Sequence, residues 1–249
     1  TYAKGFSAPK TDDLYSSTLA VVAPEGSDSY AAGWRYQSAV ITTSFSVWDV
    51  DYHNRIVQSF DPTDPSVSID RNIGEVQIYG VDLEAGARPT EHLSLYGSAE
   101  FMKSDVKSNE AVSAVGGVAF FLPTKGKELV LSPDTTISAR GQYDFGWLQT
   151  GLQLKYSSKR FVDDMNTAFL PDYTTLNFDA RLPITWWGAQ NTYLQLNVYN
   201  LTNARYPTRV SSITNANSVV VGNTTIFGKS YFYTYDAPRS VQLTLHAQF

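Results

Sequence analysis

The chain has 249 residues, 43% of them hydrophobic and 17% charged, with a formal net charge of −5 and no cysteine. Charge this sparse falls below the ~25% of ordinary soluble domains, and an acidic balance argues against nucleic acid, which wants a concentrated basic patch. Without cysteine neither a disulfide nor a thiolate metal site can form; His53, His92 and His246 share no metal-ligand spacing, and no cofactor is implied.

No run of ~18 apolar residues is present to make a transmembrane helix. The opening Thr1-Tyr2-Ala3-Lys4-Gly5 lacks the charged and apolar regions of a signal peptide, as a mature chain or a fragment would. Period-two alternation runs through the whole sequence, with no sustained helical period.

In chain order, residues 1–6 read as the end of a strand whose start lies upstream. A strand over 30–36 follows a long connection, and another covers 39–52, its register slipping near Trp48, where a bulge is expected. Tyr79, Val81, Leu83, Ala85 and Ala87 form one apolar set, and Leu93, Leu95, Gly97, Ala99 and Phe101 the next. Ile137, Ala139, Gly141, Tyr143 and Phe145 oppose Thr136, Ser138, Arg140, Gln142 and Asp144. Leu148 to Tyr156 repeats the pattern, as do 175–182 and 192–198. In the last segment Val241, Leu243, Leu245, Ala247 and Phe249 alternate with polar residues. Each such strand has one apolar and one polar face, because successive side chains point oppositely.

Connections alternate in length. Short ones lie at Gln37-Ser38, Arg88 to Glu91, Gly146 and Pro183 to Gln190; long ones span roughly 7–29, 56–75, 103–134, 158–173 and 203–237. Short turns at one rim and long loops at the other mark an outer-membrane barrel, and a soluble β-sandwich would not need that asymmetry. Aromatic residues make up 14%. Trp34, Tyr36, Phe145, Trp147, Trp186, Trp187 and Tyr193 cluster near the short turns, as a membrane-interface girdle would. In lipid every backbone polar group must be paired, so about ten strands either close on themselves or are completed by strands from elsewhere. The stub at 1–6 favours the second reading.

Four stretches carry a family resemblance: 197–206, an Asn-rich run ending in Arg205-Tyr206; Ala237-Pro238-Arg239 with the strand to Phe249; 2–9; and Tyr79-Gly80-Val81-Asp82-Leu83-Glu84. Taken in their order along the chain, they resemble the C-terminal barrel part of TonB-dependent receptors. The Asn side chains of 197–206 suit bonds to nearby backbone where the strand leaves the bilayer. Pro238 suits the first position of a strand.

The resemblance implies an all-β, transmembrane antiparallel barrel of about 22 strands, of which residues 1–249 form the C-terminal part, with the plug domain and N-terminal strands absent. It implies TonB-coupled uptake of a scarce solute, foremost a ferric siderophore, and no enzyme activity. Partners would be outer-membrane lipid, the plug and remaining strands, the TonB complex and an extracellular chelate. The family also implies a C-terminal assembly signal, here Val241, Leu243, Leu245 and Phe249.

Arginine and tyrosine in the long connections suit an anionic, aromatic chelate through charge-assisted bonds and stacking. The candidates are Arg160, Phe161, Tyr206, Arg209, Tyr231 and Tyr233, with Arg55, Arg71, Phe232 and Tyr235 beside them. The run 231–235 also suits an outer girdle. Lumen-facing Arg140, Asp144, Lys155, Asp179 and Arg181 could hold a plug or form a solvated wall. Asp12-Asp13, Asp61 to Asp64 and Asp163-Asp164 read as solvated loop charge. The alternatives are a self-contained small barrel, either a passive porin or a surface protease; the latter would use His53 beside Asp49 and Asp51.

Overall fold

Alternating apolar and polar side chains are satisfied only by two different surroundings, and neighbouring strands must keep one phase for that difference to extend across a sheet. The computed structural model describes residues 1–9, 22–60, 68–115, 118–184, 192–210 and 212–247, and holds this phase over a ten-stranded antiparallel sheet.

The wall strands are β1 (Tyr2–Ser7), β2 (Glu25–Gln37), β3 (Ile41–His53), β6 (Val76–Ala87), β7 (Leu93–Val106), β10 (Thr135–Asp144), β11 (Gln149–Ser157), β14 (Tyr173–Ile184), β15 (Thr192–Tyr199) and β20 (Ser240–His246). The other labels belong to strands paired within the connections. These are β4 (Ile56–Phe60) with β5 (Ser68–Asn72), β8 (Glu110–Val115) with β9 (Val118–Leu122), and β12 (Arg160–Phe161) with β13 (Phe169–Leu170). In the last connection β16 (Pro207–Val210) pairs with β19 (Tyr233–Tyr235), and β17 (Val219–Val221) with β18 (Thr224–Ile226). Each wall strand pairs with the next one along the chain; among the described residues β1 and β20 are open edges.

Register converts the sequence pattern into surfaces. Leu243 lies opposite Leu196, Leu196 opposite Ala180, Ala180 opposite Thr150 and Thr150 opposite Tyr143. Leu152 meets Gly141 and Phe178, and Leu83 meets Phe45 and Ala99. Directly opposed residues share a face, so these sets fuse into one apolar surface. On the reverse side Ser138 meets Ser98 and Lys155, while Gln195 meets Thr244. The apolar side is open: Val241, Leu243 and Leu245 are 66%, 65% and 65% exposed. Water would penalise so continuous a patch, whereas hydrocarbon satisfies it.

The strand lengths fit that setting. β10 has 10 residues and β11 has 9, close to the ~9–11 that a tilted strand needs to cross a bilayer. β3 has 13 and β7 has 14, and so overshoot. Over that extra height the outward face turns from apolar to charged. Lys4 sits 3.7 Å from Asp28, and Lys103 pairs with Asp134.

Trp48 marks the change. Ile41 to Tyr52 pairs with β6 without a shift, so the bulge expected there does not form. Trp48 turns to the polar side instead, over Gly80, where an added Cβ would lie 2.8 Å from the indole. The alternation weakens near this height because the strand is leaving the bilayer.

Short turns cap the lower rim through their own side chains. Ser38 Oγ accepts from Ile41 N at 2.9 Å, Thr90 Oγ1 from Leu93 N at 3.1 Å, and Asp144 from Gly146 N at 2.7 Å. Pro183 belongs to β14 rather than to a turn; residues 185–191, with Trp186 and Trp187, lie outside the described residues. Trp34 and Tyr36 stack at this rim, centroids 6.0 Å apart, and Phe145 and Trp147 are exposed at the β10–β11 turn, four strands further along the sheet. Tyr193 departs from the expected girdle. It lies opposite His246 on the polar face and carries the Arg181 guanidinium 3.6 Å above its ring. At the upper rim, Ile73, Val76, Val106 and Leu129 make a small buried core that anchors two connections.

Candidate functional site

Where the wall ends, side chain-to-backbone bonds replace the ladder. Asn200, at φ 51°, accepts from Ala204 N at 2.9 Å and donates to Ala204 O at 2.8 Å and Ala237 O at 3.2 Å. Asn203 accepts from Arg239 N at 3.0 Å, fixing the point where the chain re-enters β20. The Asn-rich run thus does what its composition suggests, and delivers Tyr206 to the polar side of the wall.

There Tyr206 stacks on Tyr173, the first residue of β14, with centroids 4.2 Å apart and planes 7° from parallel. The Tyr206 hydroxyl donates to Asp236. Burial first, and then the Asp236 carboxylate, hold this phenol well above its ordinary range. Arg160 Nη2 donates to Pro207 O at 2.8 Å, and its guanidinium lies 5.6 Å from the Tyr173 ring centroid. Arg160 and Tyr173, with Lys155, Ser157, Glu84 and Glu100, line a cavity of 590 Å³. That size suits a small-molecule ligand.

The structure therefore brings two of the predicted residues together, Arg160 and Tyr206, through a third that the sequence did not single out. Tyr173 carries no periodic signal, because at a strand's first position either face looks the same. Phe161 turns elsewhere, with the Lys159 ammonium 5.1 Å from its ring. Tyr231, Tyr233 and Tyr235 form an aromatic ladder in the last connection, where Tyr233 and Tyr235 lie on β19 rather than on a wall strand. Arg209 and Arg71 have side chains outside the described residues. Arg55 is committed to the buried Glu25 at 2.8 Å.

On the polar face the Arg140 guanidinium grips Asp179 through two bonds, 2.8 and 3.1 Å. Gly151 on the strand between permits this, since a Cβ there would lie 2.6 Å from both groups. These two residues satisfy each other, and Asp144 serves its own turn. The acidic pair Asp163-Asp164 is not solvated, as the sequence suggested: both are buried, and Asp163 bonds to backbone amides of its own turn. Asp12-Asp13 and Asp61 to Asp64 lie outside the described residues. His53 lies on the outward face, 3.5 Å from Asp28, rather than in a lumenal site with Asp49 and Asp51. Val241, Leu243 and Leu245 share the outward face of β20; Phe249 lies outside the described residues.

An apolar outer face, a polar inner face, short turns below and folded connections above define part of a transmembrane β-barrel. The family model "TonB dependent receptor-like, beta-barrel" matches residues 1–201, and the chain belongs to that family, one of receptors and not of enzymes. Among curated proteins it is 26% identical over 230 residues to the "Ferrioxamine receptor" of Yersinia enterocolitica, covering 91% of this chain and 28% of that protein. It is 28% identical over 200 residues to the "Ferrioxamine B receptor" of Salmonella typhimurium (strain SL1344), covering 78% and 26%. The fold matches the crystal structure of the siderophore receptor PiuA from Acinetobacter baumannii with a TM-score of 0.72 at 21% identity, over 98% of this chain and 32% of that one. The chain thus spans about a quarter of the length of these curated relatives and about a third of that solved structure.

Proposed function

We propose that this chain is the C-terminal part of the barrel of a bacterial outer-membrane receptor for TonB-coupled uptake of a ferric siderophore. The observation that carries this reading is the Arg160–Tyr173–Tyr206 ledge over a cavity on the water side of a wall whose other side suits lipid. Stacked tyrosines and a guanidinium suit a bulky chelate. The relatives named for ferrioxamine agree with it.

The remaining strands and a plug domain complete the lumen in this reading. The open edges of β1 and β20 support it, because unpaired strand edges cannot stand in hydrocarbon. The same open edges speak against a self-contained ten-stranded porin or protease. Energy comes through the TonB complex, which engages a segment outside this chain, and no catalytic step is involved. Val241, Leu243, Leu245 and Phe249 act as the assembly signal of the last strand.

Growth of a deletion strain on a panel of iron sources and sugars tests the proposal. Loss of growth on a ferric siderophore, restored by the gene, is the expected result. Unchanged growth on every iron source, with a defect on a sugar, would refute it.

A further inference from the structure

The turn at 163–168 is held by more polar bonds than a surface loop requires. Asp163 is fully buried. Its carboxylate accepts from Thr167 N at 2.8 Å, Thr167 Oγ1 at 2.6 Å, Ala168 N at 2.8 Å and Ala216 N at 3.3 Å. The last of these bonds leaves the turn and reaches the 200–239 connection. Asn166, at φ 54°, reaches the other way: it accepts from Glu128 N at 2.7 Å and donates to Glu128 O at 2.9 Å, in the 107–134 connection.

Backbone bonds run along both seams. Ile213 N donates to Val162 O at 2.9 Å, Asp164 N to Ile213 O at 3.1 Å, and Leu131 N to Phe161 O at 2.8 Å. Val162 is fully buried between them. One turn thus ties three connections together. Arg160 stands three residues before Asp163, and Tyr206 stands on the connection that Asp163 holds.

We propose that Asp163 and Asn166 are positioning residues that clamp the connections 107–134, 158–172 and 200–239 into one cooperative unit, and so keep Arg160 and Tyr206 at a fixed spacing before a ligand arrives. This rests on the receptor reading above for the ligand, but not for the clamp. Neither residue lines the cavity, so both act through Arg160 and Tyr206. Spacing fixed in advance spares the ordering cost that a flexible loop bears on binding. Shared polar anchors also make local opening cooperative.

The test uses the full-length receptor in outer-membrane vesicles with ferrioxamine B as the probe. Asp163→Ala removes the central acceptor. Thr167→Val removes only the hydroxyl bond, and Thr167→Ser restores it. With no ligand present, Asp163→Ala is expected to raise amide exchange at 128–131, 163–168 and 213–216 together. Kd should rise about tenfold while the amount bound at saturation is unchanged; Thr167→Val should shift both readouts in the same direction by less, and Thr167→Ser should match the wild type.

Exchange confined to 163–168 would overturn the clamp. An unchanged Kd, or a lower saturation level at unchanged Kd, would overturn the positioning role and leave Asp163 merely structural. If the wild type does not bind ferrioxamine B, the receptor reading fails for that chelate, and the exchange pattern alone still decides the clamp.

Discussion

The strand β11 and the turn at 163–168 are a few residues apart in the chain, yet opposite kinds of order hold them. In β11, Leu152 and Leu154 point one way and Gln153 and Lys155 the other, and any apolar or polar residue of suitable size would serve. The turn depends on one carboxylate and one amide, each aimed at particular backbone groups. The wall is specified by its two solvents; the cap is specified by individual hydrogen bonds. Substitutions should therefore be judged by face in the first region and by atom in the second.

The largest effect is expected where the wall's rule is broken outright. Leu152→Arg places a charge in hydrocarbon near mid-height and should cost about 2–4 kcal/mol, read as a lower denaturant midpoint for the barrel in lipid. Thr244→Arg, on the polar face opposite Gln195, should cost far less. Equal costs at the two positions would remove the distinction between faces.

Asn200→Ala should come next, on the cap side, at about 1–3 kcal/mol, because it strands bonds to Ala204 and Ala237 and forces a poorly suited residue into positive φ. Protease cutting within 200–239 would report it, with the wall strands still protected. Gly151→Ala tests the polar face, where it must push apart Arg140 and Asp179. A partly solvated pair is worth about 1 kcal/mol or less, so a small stability loss with unchanged ligand affinity is expected.

The smallest effect concerns Tyr206. Its phenol is held above the ordinary value of 10.0, so the folded chain keeps a proton that the unfolded chain begins to lose there. Stability from this group is complete below that pH and declines above it. Tyr206→Phe should flatten the alkaline decline while weakening the ledge at neutral pH. A decline identical in both proteins would show that the phenol does not contribute.

This contrast also explains what could be read in advance. The apolar sets from Tyr79 to Leu245 were legible because each reports a local environment, and the register then aligned them without exception. The alternation breaks at Trp48, where the strand leaves the bilayer and the two-solvent rule lapses. Tyr193 reads as a girdle residue by its nearness to a turn, whereas its alternation puts it with Gln195 and Asn197. Asp163 looked like solvated charge because composition cannot tell an exposed carboxylate from one bonded to backbone. Of the ledge, Arg160 and Tyr206 were visible by residue type, whereas Tyr173 emerged only when the pairing of β11 with β14 placed it.

The most direct test of the two-solvent wall is spin-label accessibility along β20. Single labels at positions 241 to 246 of the full-length protein in outer-membrane vesicles should alternate. Positions 241, 243 and 245 should collide with dissolved oxygen, and 242, 244 and 246 with a water-soluble nickel complex. Collision with nickel at 243 and 245, or no alternation at all, would contradict a lipid-facing side and with it the membrane account of this chain.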